Sequence, residues 1–392
     1  MSRDVVVTGI GVMSALGIGQ QELGEALLAG RAGLRAQPAL GGQLVGEAPP
    51  LLRGRATRHL DRSAAMFMSA ANEAWRDGGL DEPEDPARVA VIEGSSLGPS
   101  SELLAALRRR VESHDTSPPR PTGLVRFMTG AGGAAFAHAR GILGPVLHVS
   151  AGSVSASAAI GEAYLKIACG LVDIAVAGGA ECPLQSDILA NFAAAGVLGA
   201  SCRPFDVSRG GTVLGEGAGV VVLESAEHAA RRGARLRARV AGYGLATEAF
   251  SMIAPDPQGA GIVAAVTQAL RATRNSRIDW IKSHGTGTRT NDAAECRGLA
   301  RALGSEFAAI PLTSLKPALG HSLGASGGVE TVAAVVALER GFIPATLGTT
   351  DIDPELAACD VVLEVRVSRA TQVLILAESF GGRCAALLLE AA

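Results

Sequence analysis

Three side chains in this sequence sit where their neighbours give them chemical capacity. Ser153 lies in Val149-Ser-Ala-Gly-Ser153-Val-Ser-Ala-Ser-Ala-Ala-Ile160-Gly-Glu-Ala163. There a short β-branched strand (144–149) passes through small residues into a run of good helix formers that stops at Gly170. A serine at that hand-over faces the free N–H groups and positive end of the helix, a natural setting for a nucleophile or an anionic intermediate. The alternative for such a serine is an N-cap. His284 leaves a buried strand into a Gly-Thr-Gly turn, in Ile281-Lys-Ser-His284-Gly-Thr-Gly-Thr288, with Asn291, Asp292 and Glu295 just beyond. Such a turn exposes the imidazole to a cavity while its neighbours hold it. His321 lies in Thr313-Ser-Leu-Lys316-Pro-Ala-Leu-Gly320-His321-Ser-Leu-Gly-Ala-Ser-Gly327. Lys316 is one of only three lysines, with Lys166 and Lys282. A histidine taken singly is more often structural; it is the three contexts together that point to a site.

The elements that must position these groups alternate between strand and helix. Strands are expected at 4–14, 88–92, 144–149, 173–177, 220–223, 239–243, 278–283, 361–365, 373–376 and 384–389. Helices are expected at 20–28, 61–77, 101–111, 154–167, 261–271, 292–303 and 327–338. The segment 30–58 and the polar loop 114–121 read as irregular, and 226–234 as a linker. Alternation of this kind argues for a layered α/β fold. At 392 residues, with 48% hydrophobic and 19% charged residues, the chain can bury a large core.

Composition also excludes function classes. A net charge of −3 and 3% aromatics give neither a polyanion-binding surface nor base-stacking platforms, so no nucleic acid is expected. Six scattered cysteines without a C-x-x-C pair argue against a zinc site or a disulfide framework. Glycines at 9 and 11 interrupt the opening apolar run, and no run approaches membrane-span length. A cytoplasmic protein without membrane attachment is expected. The triplet Arg108-Arg109-Arg110 reads as a solvated helix face, with docking of an acidic carrier protein as the alternative.

The motifs closely resemble those of the β-ketoacyl-acyl-carrier-protein synthases. The resemblance rests on the Ile160-Gly-Glu-Ala helix, Ala177-Gly-Gly-Ala-Glu181, Arg203-Pro-Phe-Asp206, Leu214-Gly-Glu-Gly-Ala218 and both histidine motifs, and it runs from Asp4 to Leu389. It implies a thiolase-like five-layer α/β/α/β/α duplicated fold, with halves at 1–234 and 235–392. It implies catalytic roles for Ser153, His284, His321 and Lys316, with Glu330 supporting Lys316 by charge. Two histidines in that family stabilise the enolate left when a malonyl thioester loses carbon dioxide. The substrates it implies are thioesters on the phosphopantetheine of an acyl carrier protein, with no metal or redox cofactor. The implied assembly is a homodimer, or a heterodimer with a ketosynthase homologue.

Two departures stand out. The family nucleophile, seven residues before the isoleucine of Ile-Gly, is cysteine, and here that position is Ser153. The C-terminal turn Glu378-Ser-Phe-Gly381-Gly382-Arg383-Cys384 is shorter by one Phe-Gly than the family's Asn-Ser-Phe-Gly-Phe-Gly-Gly. The missing pair gates the pocket and supplies an oxyanion N–H in that family, so Gly381 and Gly382 join the supporting residues. Three readings follow: a Ser-nucleophile ketosynthase relative; a chain-length-factor-like partner that is not itself acylated; or a thiolase or acyltransferase acting on CoA. The absence of a Cys-x-Gly motif at the C-terminal end disfavours the last. Nearby Ser155 is the rival nucleophile, expected to point elsewhere on the helix.

Overall fold

A computed structural model describes residues 3–51, 54, 57–114, 121–273, 277–356 and 358–392. Ten strands carry the architecture: β1 (Val5–Ser14), β2 (Val89–Gly94), β3 (Val146–Val149), β4 (Ile174–Glu181), β5 (Gly217–Ser225), β6 (Ala238–Thr247), β7 (Trp280–Lys282), β8 (Pro311–Thr313), β9 (Gln372–Ser379) and β10 (Arg383–Ala391). They belong to one twelve-stranded sheet, completed by Gly17–Ile18 beside β1 and Asp360–Val361 beside β8.

That sheet contains the same pattern twice. The N-terminal strands run in the order β3-β2-β4-β5-β1 and the C-terminal strands in the order β8-β7-β9-β10-β6. In each set the second strand pairs parallel with the third and fourth, and the fifth runs antiparallel between the fourth and the first. The two sets meet where β1 pairs antiparallel with β6, Val5 opposite Val240 and Val7 opposite Ala238. A duplication with no visible sequence repeat is thus written in the topology.

Six helices complete the layers: α1 (Arg62–Asp77), α2 (Ala131–Arg140), α3 (Ser155–Ala168), α4 (Ala260–Arg271), α5 (Arg289–Leu303) and α6 (Ser326–Arg340). Helices α3 and α6 touch each other and strands of both sets, so they form the middle layer. Helices α1 and α2 cover the outer face of the first set; α4 packs on β6 and β10, and α5 on α4. The result is the five-layer α/β/α/β/α fold. Strands covered on both faces need continuous apolar runs, and β2, β4 and β5 are buried at every position. A middle-layer helix must be small and uncharged nearly all round. In α6 every residue from Ser326 to Ala337 is buried, and Glu330 is the one charged side chain in that run. Surface helix α1 is capped instead, with Asp61 accepting from Ser63 N–H at 2.9 Å and Ala64 N–H at 3.3 Å.

Three expectations are corrected. The segment 30–58, expected to be irregular, carries a small hairpin in which Arg35–Gln37 pairs antiparallel with Gln43–Val45. The strand expected over 361–365 is only Asp360–Val361: the Val362 carbonyl accepts from Thr346 N–H at 2.7 Å, and Arg366–Val367 pairs with Phe342–Ile343 instead. The linker at 226–234 contains a helix, Ala226–Arg231, capped by Ser225. Most of the loop at 114–121 lies outside the described residues. Among the described residues, no helix is long and apolar enough to cross a membrane.

Candidate active site

Between β3 and α3 the chain turns through Gly152 at φ +64°. A Cβ on Gly152 would lie 2.9 Å from the Ser379 Cβ, so glycine is required here both for its positive φ and for the close approach of the β9 end. Ser379 Oγ ties that end to the turn by donating to the Ala151 carbonyl at 3.1 Å. The helix cap is Val154, with no side-chain bond, so Ser153 is not an N-cap. Ser155 is spent on the turn itself: its hydroxyl donates to the Gly152 carbonyl at 2.6 Å and accepts from Ala151 N–H at 2.9 Å. Ser153 Oγ lies 3.1 Å from His321 Nε2.

His321 enters from the loop before α6. Its main chain is pinned to the Val213–Gly215 segment: its N–H donates to the Val213 carbonyl at 2.7 Å, and its carbonyl accepts from Gly215 N–H at 2.9 Å. Its Nδ1 lies 3.0 Å from Ser326 Oγ. His284 follows β7, and Glu295 on α5 clamps the turn beyond it, accepting from His284 N–H at 2.5 Å and Gly285 N–H at 2.8 Å. The two imidazoles stand nearly perpendicular, at 84°, with ring centroids 5.3 Å apart. His284 Nδ1 is buried and has no partner among the described residues.

Behind the histidines lies a buried charge cluster. Lys316 Nζ donates to the His284 carbonyl and, at 3.1 Å, to Glu330 Oε1. Lys282 Nζ donates to the other Glu330 oxygen and, at 2.9 Å, to the Leu376 carbonyl. Glu330 thus serves two lysines, both fully buried. Burial first, and then Lys316, hold both imidazoles well below the ordinary histidine range, with Lys282 adding to the effect; both rings are neutral at pH 7. Neutral rings beside a cationic background suit hydrogen-bond donation to a developing oxyanion.

Ser153, His284 and His321 open on one cavity of about 150 Å³, also lined by Phe192, Phe380 and Glu378. Phe192 and Phe380 stack with centroids 6.3 Å apart. The shortened turn is tied down: Gly381 N–H donates to the Met252 carbonyl at 2.8 Å, and Gly382 N–H to the Ser379 carbonyl at 3.1 Å. Both N–H groups are therefore engaged within the protein. Glu378 is buried, with one carboxylate oxygen lacking a partner among the described residues. Burial first, then the neighbouring carboxyl of Glu295, push its carboxyl well above the usual carboxylate range.

Sequence reasoning named Lys316 and Glu330 but assigned no role to Lys282, Glu295, Ser326, Phe192 or Glu378. A lysine inside the apolar run Trp280-Ile-Lys282, and a glutamate ending Val373-Leu-Ile-Leu-Ala-Glu378, were visible anomalies. Phe192 and Ser326 carried no such signal. Arg108 of the basic triplet is occupied by Asp187 and, at 2.8 Å, by Ser186 Oγ, and it lies outside the cavity lining.

The β-ketoacyl synthase N-terminal domain family matches residues 2–229, and the C-terminal domain family matches residues 237–350. The chain belongs to the β-ketoacyl synthase family. Across 99% of its length it is 35% identical to a putative polyketide β-ketoacyl synthase 1 of Streptomyces halstedii, covering 98% of that protein. The ishigamide ketosynthase/chain length factor superposes with a TM-score of 0.93 at 32% identity, over all of both chains. A type II polyketide acyl-carrier protein complex with its ketosynthase bound to the hexaketide gives 0.91 at 26% identity, again over all of both chains.

Proposed function

We propose that this chain is a polyketide or fatty-acid synthase subunit that acts on acyl and malonyl thioesters carried on the phosphopantetheine of an acyl carrier protein. The observation that carries the reading is the approach of Ser153 Oγ to His321 Nε2, in a cavity shared with a second neutral imidazole. A serine hydroxyl needs a base to attack a thioester, and His321 is within reach of its proton. The same cavity offers two imidazoles to an enolate, so loss of carbon dioxide from a malonyl group needs no acylated Ser153. The reading calls for no metal or redox group; phosphopantetheine arrives with the substrate. We place the protein in the cytoplasm, with residues 1–234 and 235–392 as its halves, as a homodimer or paired with a ketosynthase homologue.

A second reading is favoured by two observations: serine replaces the thiol, and the Gly381 N–H is spent on Met252 rather than offered to an oxyanion. Under it the chain is a chain-length-factor-like partner that shapes a pocket for a cysteine-bearing synthase. Intact-protein mass after incubation with acyl- and malonyl-carrier protein, alone and with a cysteine-bearing ketosynthase, separates the two. An adduct on Ser153, or conversion of malonyl to acetyl carrier protein by the chain alone, supports the first reading. Activity that appears only in the mixed assembly supports the second.

A further inference from the structure

The proposed chemistry asks two incompatible things of His321 Nε2. To take the Ser153 proton it must present a lone pair, with the ring proton on Nδ1. To donate to an enolate oxygen it must carry the proton itself. A neutral imidazole bears one N–H, and which nitrogen carries it is set by what the other nitrogen meets. In many sites that partner is a carboxylate, which fixes one tautomer. Here it is a hydroxyl, Ser326 Oγ at 3.0 Å from Nδ1, and a second hydroxyl, Ser322 Oγ, lies 3.3 Å further on. Both serines are buried at the entry to α6.

A hydroxyl both donates and accepts, so the chain Ser153–His321–Ser326–Ser322 closes in two directions. In one, Ser153 donates to Nε2, Nδ1–H donates to Ser326, and Ser326 donates to Ser322. In the other, Ser322 donates to Ser326, Ser326 to Nδ1, and Nε2–H to Ser153. Each direction makes the same three hydrogen bonds on the same heavy atoms. Burial and the Lys316 and Lys282 charges keep the ring neutral in both.

We propose that Ser326 and Ser322 are positioning residues forming a reversible hydroxyl relay, which lets His321 carry its single proton on either ring nitrogen and so serve in turn as base and as donor. This rests on the acyl-transfer and decarboxylation reading above. In the acylation direction, Ser153 Oγ forms a bond to the thioester carbonyl carbon while its proton passes to Nε2. The C–S bond then breaks, and the departing sulfur takes that proton to leave as a thiol. In the other direction a malonyl thioester loses carbon dioxide and the electron pair moves onto the enolate oxygen, which Nε2–H stabilises. Water later protonates the α-carbon.

The Ser326→Ala variant removes the acceptor for Nδ1–H but leaves Nε2–H able to meet Ser153. A buried N–H without a partner is more costly than a bare lone pair, so the ring shifts toward Nε2–H. Imidazole ¹⁵N chemical shifts of selectively labelled protein should show both tautomers of His321 in the wild type and mainly Nε2–H in Ser326→Ala. Acylation of Ser153 by acetyl-carrier protein should fall about 10–100-fold, while malonyl-carrier protein decarboxylation falls far less. Ser326→Thr keeps the hydroxyl and should restore both readouts, and Ser322→Ala should give a weaker shift in the same direction. A single His321 tautomer in the wild type, or one unchanged by these variants, overturns the relay, as does an equal slowing of both steps. Where Ser326→Ala does not fold, the wild-type spectrum and Ser322→Ala decide. Absence of both wild-type activities would sink the proposed function, while the tautomer measurement still judges the relay.

Discussion

Replacing Glu330 by glutamine tests the charge cluster that stands behind both histidines. Glu330 is the shared partner of Lys282 and Lys316, and all three side chains are at least 97% buried. Glutamine keeps the volume and one carbonyl acceptor, but it leaves two buried ammonium groups without their carboxylate. Removing one member of a buried ion pair costs about 3–5 kcal/mol. At roughly 2.1 cal/mol/K per residue, a chain of 392 residues unfolds with an entropy of about 0.8 kcal/mol/K. The melting temperature of Glu330→Gln at pH 7 should therefore lie about 4–6 °C below wild type. The pH dependence supplies a second check. Burial, opposed by Glu330, already holds Lys282 below the ordinary lysine range, and losing the carboxylate lowers it further. Between that depressed value and the ordinary lysine pKa of about 10.4, the unfolded chain binds more protons than the folded one, so stability rises with pH. The variant's window opens at lower pH, so its deficit should shrink between pH 7 and pH 9.5. Thermal melts followed by circular dichroism read both effects. A melting temperature within 1 °C of wild type, or a deficit that grows with pH, would refute the reasoning.

Replacing either imidazole should be felt in decarboxylation far more than replacing the serine. His284→Ala and His321→Ala should each slow release of carbon dioxide from malonyl-carrier protein by about 10²–10³, whereas Ser153→Ala should retain most of the rate; equal losses in all three would sink the enolate role. Ser153→Cys should become acylated by acyl-carrier protein, as read by intact mass. A thiol that stays free would mean that the short Gly381-Gly382 turn closes the site, and the partner reading would take over. Gly152→Ala, which puts a side chain at φ +64° against Ser379, should destabilise the fold by more than about 1 kcal/mol and weaken acylation with it, measured by denaturant melts alongside the mass assay.

How much of this was legible in sequence differs between local and non-local features. The strand–turn–helix around Ser153, the helices over 61–77 and 327–338 and the glycine stops follow from periodicity and capping, which are local. The short edge strand at Asp360–Val361 was misjudged because Val361-Val-Leu-Glu-Val365 has strand propensity, and only tertiary pairing of Arg366 with Ile343 ends it. The approach of His284 and His321, from loops 37 residues apart in sequence, came from motif resemblance; spacing alone does not give it. Lys282, at the end of strand β7, was passed over because Glu330, the residue that makes its burial tolerable, lies 48 residues away on helix α6. Ser326 was passed over because nothing in its local sequence sets it apart, and only the folded turn before α6 brings its hydroxyl to the imidazole.

The cluster that suits the histidines to one task makes the other harder. Acylation through Ser153 requires His321 to become an imidazolium for a moment, and burial together with Lys316 and Lys282 disfavours that charge. A cysteine at position 153 would ease this demand, because a helix N-terminus can hold a thiolate without a strong base. Serine has no such route, since its hydroxyl ionises far too reluctantly and depends wholly on the imidazole. Decarboxylation asks for the opposite state: neutral rings, a cationic background and one N–H aimed at the enolate oxygen. The arrangement of Lys282, Lys316 and Glu330 behind two neutral histidines thus favours carbon dioxide loss over serine acylation. In the wild type, decarboxylation should be the faster of the two steps, and Ser153→Cys should narrow the gap by raising acylation alone.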